Sequence, residues 1–416
     1  MLYNLMEQVK KNFPNSSLSS IDLIVVVVFY LIFNQLRKLL YHFYHALYRL
    51  FFGDLCMDST DADKNLNDTG PYPNGWIPVA ETQQLVKGQI MKTQALGQDI
   101  VLMRDSNGKV HAMDPYCPHN GAHLGGGDVV KIRGEDCIRC PFHEWSFRAE
   151  DGVCVDVPYA KDRKAPKVSK LKVWPCVEVN DFIFIWYHNG GHCPNWFPEP
   201  MEEIENGDVV YAGKMEYFAN TSVKLISENT SDSAHITIVH GGLSPILREI
   251  GKYMSLDEKW LKLNHFSWKP SAGLSKHIAY AEYEPNFSLY GLSLGKGLLS
   301  STQFGPYTFI GQTEAIFLGF DVKFKFTVGL IPIHSNKQKF ILRMYSEKTI
   351  PSRLGCRLTL IGFLENFHQD ALIWKDMGPL EKPITLKEEK PTVDFRRWYQ
   401  QFYGADEKIN PESIES

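Results

Sequence analysis

Four residues within one 27-residue stretch, Cys117, His119, Cys140 and His143, have the types and spacing to hold redox-active metal. They form Cys-x-His and, twenty residues further on, Cys-x-x-His. Two thiolates on one iron and two imidazoles on the other is the donor set of a 2Fe-2S cluster whose potential lies above that of an all-cysteine ferredoxin. Such a centre accepts electrons one at a time and passes them on. A structural zinc site is the bland alternative, because Cys137, Cys140 and His143 stand at Cys-x-x-Cys-x-x-His spacing. Zinc leaves Cys-x-His unexplained, and Cys137 and Cys154 read equally well as core cysteines. His111 and His123 lie close by without a recruiting pattern and read as surface or packing residues.

A second constellation begins 85 residues after His143: Glu228-Asn229-Thr-Ser-Asp232-Ser-Ala-His235-Ile-Thr-Ile-Val-His240. Ferrous iron that binds dioxygen uses two histidines and a carboxylate on one face and keeps open positions for oxygen. Positions five apart do not share a helix face, so pairing His235 with His240 predicts a bend or bulge between them. Two histidines on a partly apolar helix, binding nothing, is the alternative to be weighed.

Short elements must position these groups. Ile100–Arg104 and Val110–Met113 read as strands joined by a tight turn at Asn107-Gly108, feeding the first Cys-x-His loop. Prolines and glycines beside the ligand pairs suit fixed loops. Phe320, Val322, Phe324, Phe326 and Val328 alternate with polar residues and mark a half-buried strand. A Gly- and Pro-containing joint, Asn189–Pro194, follows the strand-like Asp181–Tyr187.

The segment Cys117 to His143 resembles the Rieske domain of the non-haem iron oxygenases. Respiratory Rieske proteins carry an extra cysteine in each ligand loop, where this chain has Ala122 and Phe142. The Asn-x-x-Asp-x-x-His-x-x-x-x-His spacing resembles the mononuclear iron motif of the same oxygenases. That resemblance implies His235 and His240 as iron ligands and Asp370, in its Gln-Asp-x-x-Ile-Trp context, as the third, with Glu365 the competing carboxylate. It further implies that Asp232 joins His143 to His235 as an electron relay between neighbouring subunits of a homotrimer, or else orients His235 within its own chain. The closing segment Phe395–Tyr403 and the Gln369-Asp370 context are similar to the animal Neverland-type cholesterol 7-desaturases. This closer resemblance implies conversion of cholesterol to 7-dehydrocholesterol in steroid-hormone synthesis. The cofactors would be a Rieske cluster and mononuclear non-haem Fe(II), with dioxygen as co-substrate and NAD(P)H electrons from a separate reductase or ferredoxin. A steroid or lipid hydroxylase and a membrane-bound Rieske electron carrier are the rival readings.

The implied architecture is α+β: an N-terminal membrane anchor, a β-sandwich Rieske domain and a helix-grip catalytic domain built on a curved antiparallel sheet. Boundaries fall at 1–53 for the anchor, 54–75 for a linker, 76–188 for the Rieske domain, 195–403 for the catalytic domain and 404–416 for a tail. In the anchor, Leu23–Phe33 is uncharged and apolar, and Leu18–Leu36 spans nineteen positions against the roughly 20 needed. Leu36–Phe51 continues at helical spacing and reads as an interfacial helix. No small-residue cleavage site follows Phe33, so a retained anchor is favoured over a signal peptide. Thiolate ligands and the need for a reductase place the catalytic domains on the cytosolic face of the endoplasmic reticulum. The polar segment Asp54–Pro73 reads as a tether. A net charge of −4 gives no basis for nucleic-acid binding, and 416 residues with 44% apolar content can fill two cores.

Overall fold

The computed structural model describes residues 55–58, 71–164, 166, 169–241, 261–289, 292–317, 319–378 and 383–404. The anchor reading falls on residues outside these; no helix among the described residues is long and apolar enough to cross a membrane.

Three small sheets form the first half. Strands are numbered along the chain, with β1 (Leu55–Asp58) belonging to the second half. The first sheet holds β3 (Ile90–Ala95), β4 (Gln98–Arg104), β5 (Val110–Met113) and β10 (Val173–Trp174). The second holds β2 (Gly75–Glu81), β11 (Cys176–Val179) and β12 (Phe182–Tyr187), and the third β6 (Asp128–Ile132), β7 (Glu135–Arg139), β8 (Ser146–Arg148) and β9 (Cys154–Asp156). The turn at Asn107-Gly108 falls where expected: Gly108 takes φ +93°, and Asp105 Oδ1 accepts from the Asn107 and Lys109 amides at 2.8 and 2.9 Å. The β-rich half is thus three sheets, Val101, Met103 and Met113 of the first packing with Ile138 and Phe147 of the third, and the ligand loops run from β5 to β6 and from β7 to β8.

The second half is one eight-stranded sheet in the order β1, β13 (Val210–Ala219), β19 (Lys337–Ser346), β18 (Phe320–His334), β17 (Thr308–Phe317), β16 (Leu292–Phe304), β15 (Ile278–Leu289), β14 (Leu261–Pro270). Seven strands are antiparallel neighbours, but β1 pairs parallel with β13, Leu55 opposite Met215 through Asp58 opposite Phe218. This corrects the tether reading at its first residues, which complete the sheet edge. At the other end of that segment, Tyr307 Oη donates to the Pro73 carbonyl at 2.9 Å.

A 25-residue helix, Ile350–Trp374, lies against β13, β18 and β19. Thr349 caps its start, accepting from the Ser352 amide, and Pro351 sits in the first turn, where its missing N–H costs no helical bond. Leu360, Phe367 and Ala371 join Phe324, Phe326 and Val328 in the main core. The β18 stripe is therefore core packing under this helix, except that Phe320 at its end is 66% exposed.

The two halves are locked by buried charge. Glu81 of β2, only 1% exposed, receives Lys214 of β13 and Arg343 of β19, and Arg343 also reaches Asp181 at 3.1 Å. Tyr345 Oη donates to the same Asp181 carboxylate at 2.7 Å. A charge buried here without its partner would be strongly destabilising.

Candidate metal centres

The first cradle forms from two loops, one between β5 and β6 and one between β7 and β8. Each is folded by its own backbone. Gly121 N–H donates to Cys117 O at 2.8 Å and Glu144 N–H to Cys140 O at 3.1 Å, while Cys140 N–H donates to Trp145 O at 2.8 Å. Gly121 (φ +71°) and Glu144 (φ +60°) stand in the left-handed region, and for a glutamate that conformation costs about 1–2 kcal/mol. The loops bring Cys117 next to Cys140, and the His119 ring 4.8 Å from that of His143. Trp145 stacks flat on His119 at 4.6 Å, and its indole N–H donates to Tyr159 Oη at 2.9 Å.

This cradle fits a two-iron cluster. Burial pushes the Cys117 thiol up to about 11, and the Cys140 sulfur beside it adds to the shift. A thiol so placed becomes a thiolate only when a metal takes up the charge, and the backbone N–H groups of His119 and Asn120 already point at that sulfur. The zinc alternative has no geometry behind it, since Cys137 Sγ turns to the Glu135 carbonyl at 3.6 Å. His111 is buried against Asp105 at 2.9 Å, and His123 accepts from the Gly125 amide; both are packing residues.

The second cradle gathers residues far apart in sequence. Three elements build it: α1 (Val223–Glu228) with the single 3₁₀ turn Asn229–Ser231, α2 (Ser233–Val239), and the long helix, α3. Asp232 caps α2, its Oδ1 accepting from the Ala234 and His235 amides at 2.9 and 3.3 Å. The irregularity expected between the histidines is the end of the helix itself: α2 stops at Val239 and His240 is its C-cap. The two imidazoles face each other at 5.3 Å, nearly perpendicular.

Asp370 of α3 completes a three-donor group in which one ligand atom each from His235, His240 and Asp370 lies within 4.8 Å of the others. His240 Nε2 stands 3.2 Å from Asp370 Oδ1, and Asn229 donates to Asp370 Oδ2 at 2.9 Å. Glu365, the competing carboxylate, is turned to Gln369 instead. Two imidazoles and a carboxylate on one side fit a divalent metal, and His235 turns its Nδ1 toward Asp232 Oδ2 at 3.6 Å. The neighbouring His235 ring holds the Asp232 carboxyl below the usual carboxylate range.

The sequence reading missed what holds this cradle from behind. Helix α4 (Lys390–Tyr399) lies against the Asn229–Ser231 turn, with Arg396 paired to Glu228 at 2.5 and 3.0 Å and Thr392 Oγ1 donating to the Ser231 carbonyl at 3.2 Å. Tyr283 Oη donates to the Thr230 carbonyl at 2.5 Å. The closing aromatic segment thus packs Phe395, Trp398, Tyr399 and Phe402 with Trp268 of β14 in one cluster beside the metal-site turn.

With both cradles placed, the likeness to known proteins is specific. Residues 75–175 match the Rieske [2Fe-2S] domain and residues 185–403 the 3-ketosteroid 9alpha-hydroxylase C-terminal domain. The cholesterol 7-desaturase nvd of Hemicentrotus pulcherrimus is 33% identical over 344 residues, covering 80% of this chain and 70% of that protein. The chain belongs to the cholesterol 7-desaturase branch of the Rieske non-haem iron oxygenases. The cholesterol 7-desaturase nvd of Drosophila melanogaster is 34% identical over 354 residues, covering 82% of this chain and 78% of its own length. Among solved structures, Pseudomonas putida CBB5 NdmA with caffeine shares the fold at 17% identity, with a TM-score of 0.58 over 78% of this chain and 89% of that one. The fold therefore persists where most of the sequence does not.

Proposed function

We propose that the protein is an oxygen-dependent cholesterol 7-desaturase, converting cholesterol to 7-dehydrocholesterol. The observation that carries this is the His235–His240–Asp370 group: a simple Rieske electron carrier has no use for a second, separately built donor set. In this reading Cys117 and Cys140 hold one cluster iron, His119 and His143 the other, and His235, His240 and Asp370 the mononuclear iron. Fe(II) and the cluster, when bound, supply the redox chemistry that uses dioxygen and outside electrons to remove two hydrogens from adjacent sterol carbons.

The chain's own groups do the positioning. Asn229 fixes the Asp370 carboxylate through one oxygen and leaves the other toward His240. Asp232 keeps its charge, braces α2 and offers its second oxygen to His235, which supports the relay from His143 to Asp232 to His235. The desaturase names of the relatives above support the sterol substrate. NAD(P)H electrons through a separate reductase or ferredoxin, a homotrimer that places the relay between subunits, and an anchor in the endoplasmic reticulum membrane belong to the same proposal; the anchor rests on the sequence of residues 1–53.

The test is metal analysis followed by turnover. Three irons per chain, two of them in the cluster, and a cholesterol product lighter by two hydrogens establish the reading. Two irons and no product leave an electron carrier, whereas an oxygenated sterol makes the enzyme a hydroxylase.

A further inference from the structure

Beyond the three donors, one uncharged side chain decides whether His240 can act as one. Gln369 precedes Asp370 on α3, and its amide bridges two groups: Nε2 donates to Glu365 Oε1 at 3.1 Å, and Oε1 meets His240 Nδ1 at 3.1 Å. A glutamine amide can present either end to a neighbour, but an ionised carboxylate only accepts. Glu365, one turn earlier on the same helix, therefore claims the NH₂ end and leaves the carbonyl oxygen for His240. A carbonyl oxygen only accepts as well, so His240 must carry a proton on Nδ1. Its other nitrogen, Nε2, which stands 3.2 Å from Asp370 Oδ1, is then the one free to offer a lone pair to a metal.

The geometry points to Gln369 as a positioning residue that sets the tautomer of His240, with Glu365 setting the orientation of Gln369. The inference rests on the reading of His235, His240 and Asp370 as a metal site, but concerns residues outside it. His240 is only 6% exposed, so water is poorly placed to replace the lost acceptor. Were the amide reversed, its NH₂ would donate to Nδ1 and place the proton on Nε2, the nitrogen the metal needs. Glu365, the rival for the ligand role, thus serves as an acceptor that enforces polarity through a neutral intermediary.

Equilibrium dialysis against Fe(II), without oxygen and on the full chain with its oxidised cluster intact, tests this independently of turnover. Gln369→Leu, similar in volume but without either polar end, should bind the third iron about 10- to 100-fold more weakly, with the cluster absorption unchanged. The double exchange Glu365→Gln with Gln369→Glu restores the polarity, since the new glutamine donates to a carboxylate that accepts from Nδ1. It should return affinity to within about threefold of the unaltered chain, a recovery that a packing role could not produce. Unchanged affinity in Gln369→Leu, or an exchange variant as weak as that one, overturns the assignment. If Gln369→Leu does not fold, Glu365→Leu carries the test alone, with a loss of about tenfold expected and no loss overturning the assignment. If the unaltered chain's third iron survives in both His235→Ala and Asp370→Ala, the metal site itself lies elsewhere and the Gln369 inference falls with it.

Discussion

The two metal cradles of this chain are built on opposite plans. The Rieske cradle is local, with all four donors on two loops whose own backbone hydrogen bonds hold them, and with Trp145 and Tyr159 packed against the imidazoles. The catalytic cradle is assembled at long range: the 141 positions between Asn229 and Asp370, and the 168 between Glu228 and Arg396, are closed only when α3 and α4 dock. A local cradle depends on loop conformation, whereas a long-range one depends on the whole sheet. The two should therefore fail separately, and by different routes.

The sharpest separation comes from removing one donor from each. Asp370→Ala should abolish turnover and lose the third iron while the cluster spectrum stays intact; Cys140→Ser should bleach the cluster while the His235–His240–Asp370 site still takes up Fe(II). Loss of both groups in either variant would erase the distinction between the cradles.

A smaller effect is expected from the C-terminal clamp. Arg396→Met leaves Glu228 without its paired cation and should lower stability by about 1.5–3 kcal/mol in denaturant titration. The weakened protein should lose mononuclear iron before cluster iron; the reverse order would show that α4 serves the whole body and not the one site.

Acidity offers a graded probe. Burial alone would push the His240 pKa down, but the Asp370 carboxylate, with Gln369, outweighs it and raises the value in the metal-free protein. The raised value means that His240's contribution to metal-free stability is fully present below the ordinary histidine pKa and is lost as pH rises through the shifted one. Metal affinity runs the other way, because the metal must displace a proton. Fe(II) binding at this site should weaken by up to about tenfold per pH unit below the raised pKa and level off above it. Binding that ignores pH over that range would remove His240 from the donor set.

Least disruptive is Tyr159→Phe, which strips the Trp145 indole N–H of its partner. It should cost about 0.5–1.5 kcal/mol in thermal or denaturant unfolding and leave the iron content untouched.

The contrast also explains what the sequence disclosed. Donors separated by two, three or five residues leave a readable spacing, so both Rieske loops and the His235–His240 pair stood out, as did the hairpin at Asn107-Gly108. Asp370 has no local partner among the donors, and only its Gln-Asp-x-x-Ile-Trp context singled it out from Glu365. Glu228 with Arg396, Gln369 with Glu365 and His240, and Glu81 with Arg343 left no spacing to read, because their proximity is a product of sheet topology. The buried face of α4, Thr392, Phe395, Trp398 and Tyr399, does carry helical periodicity and could have marked a docking helix, though not what it docks against. Strand β1 was missed because four residues beside a polar segment are too few to show alternation.

That short strand has a practical side. A chain shortened to residue 71 to improve solubility would remove Leu55–Asp58 and strip β13, a ten-residue strand, of the strand that, among the described residues, covers that edge. Unpaired strand edges recruit other strands, so the trimmed protein would trade a greasy N-terminus for a sticky rim. Cutting at or before Asp54 keeps that strand and leaves the rim sealed.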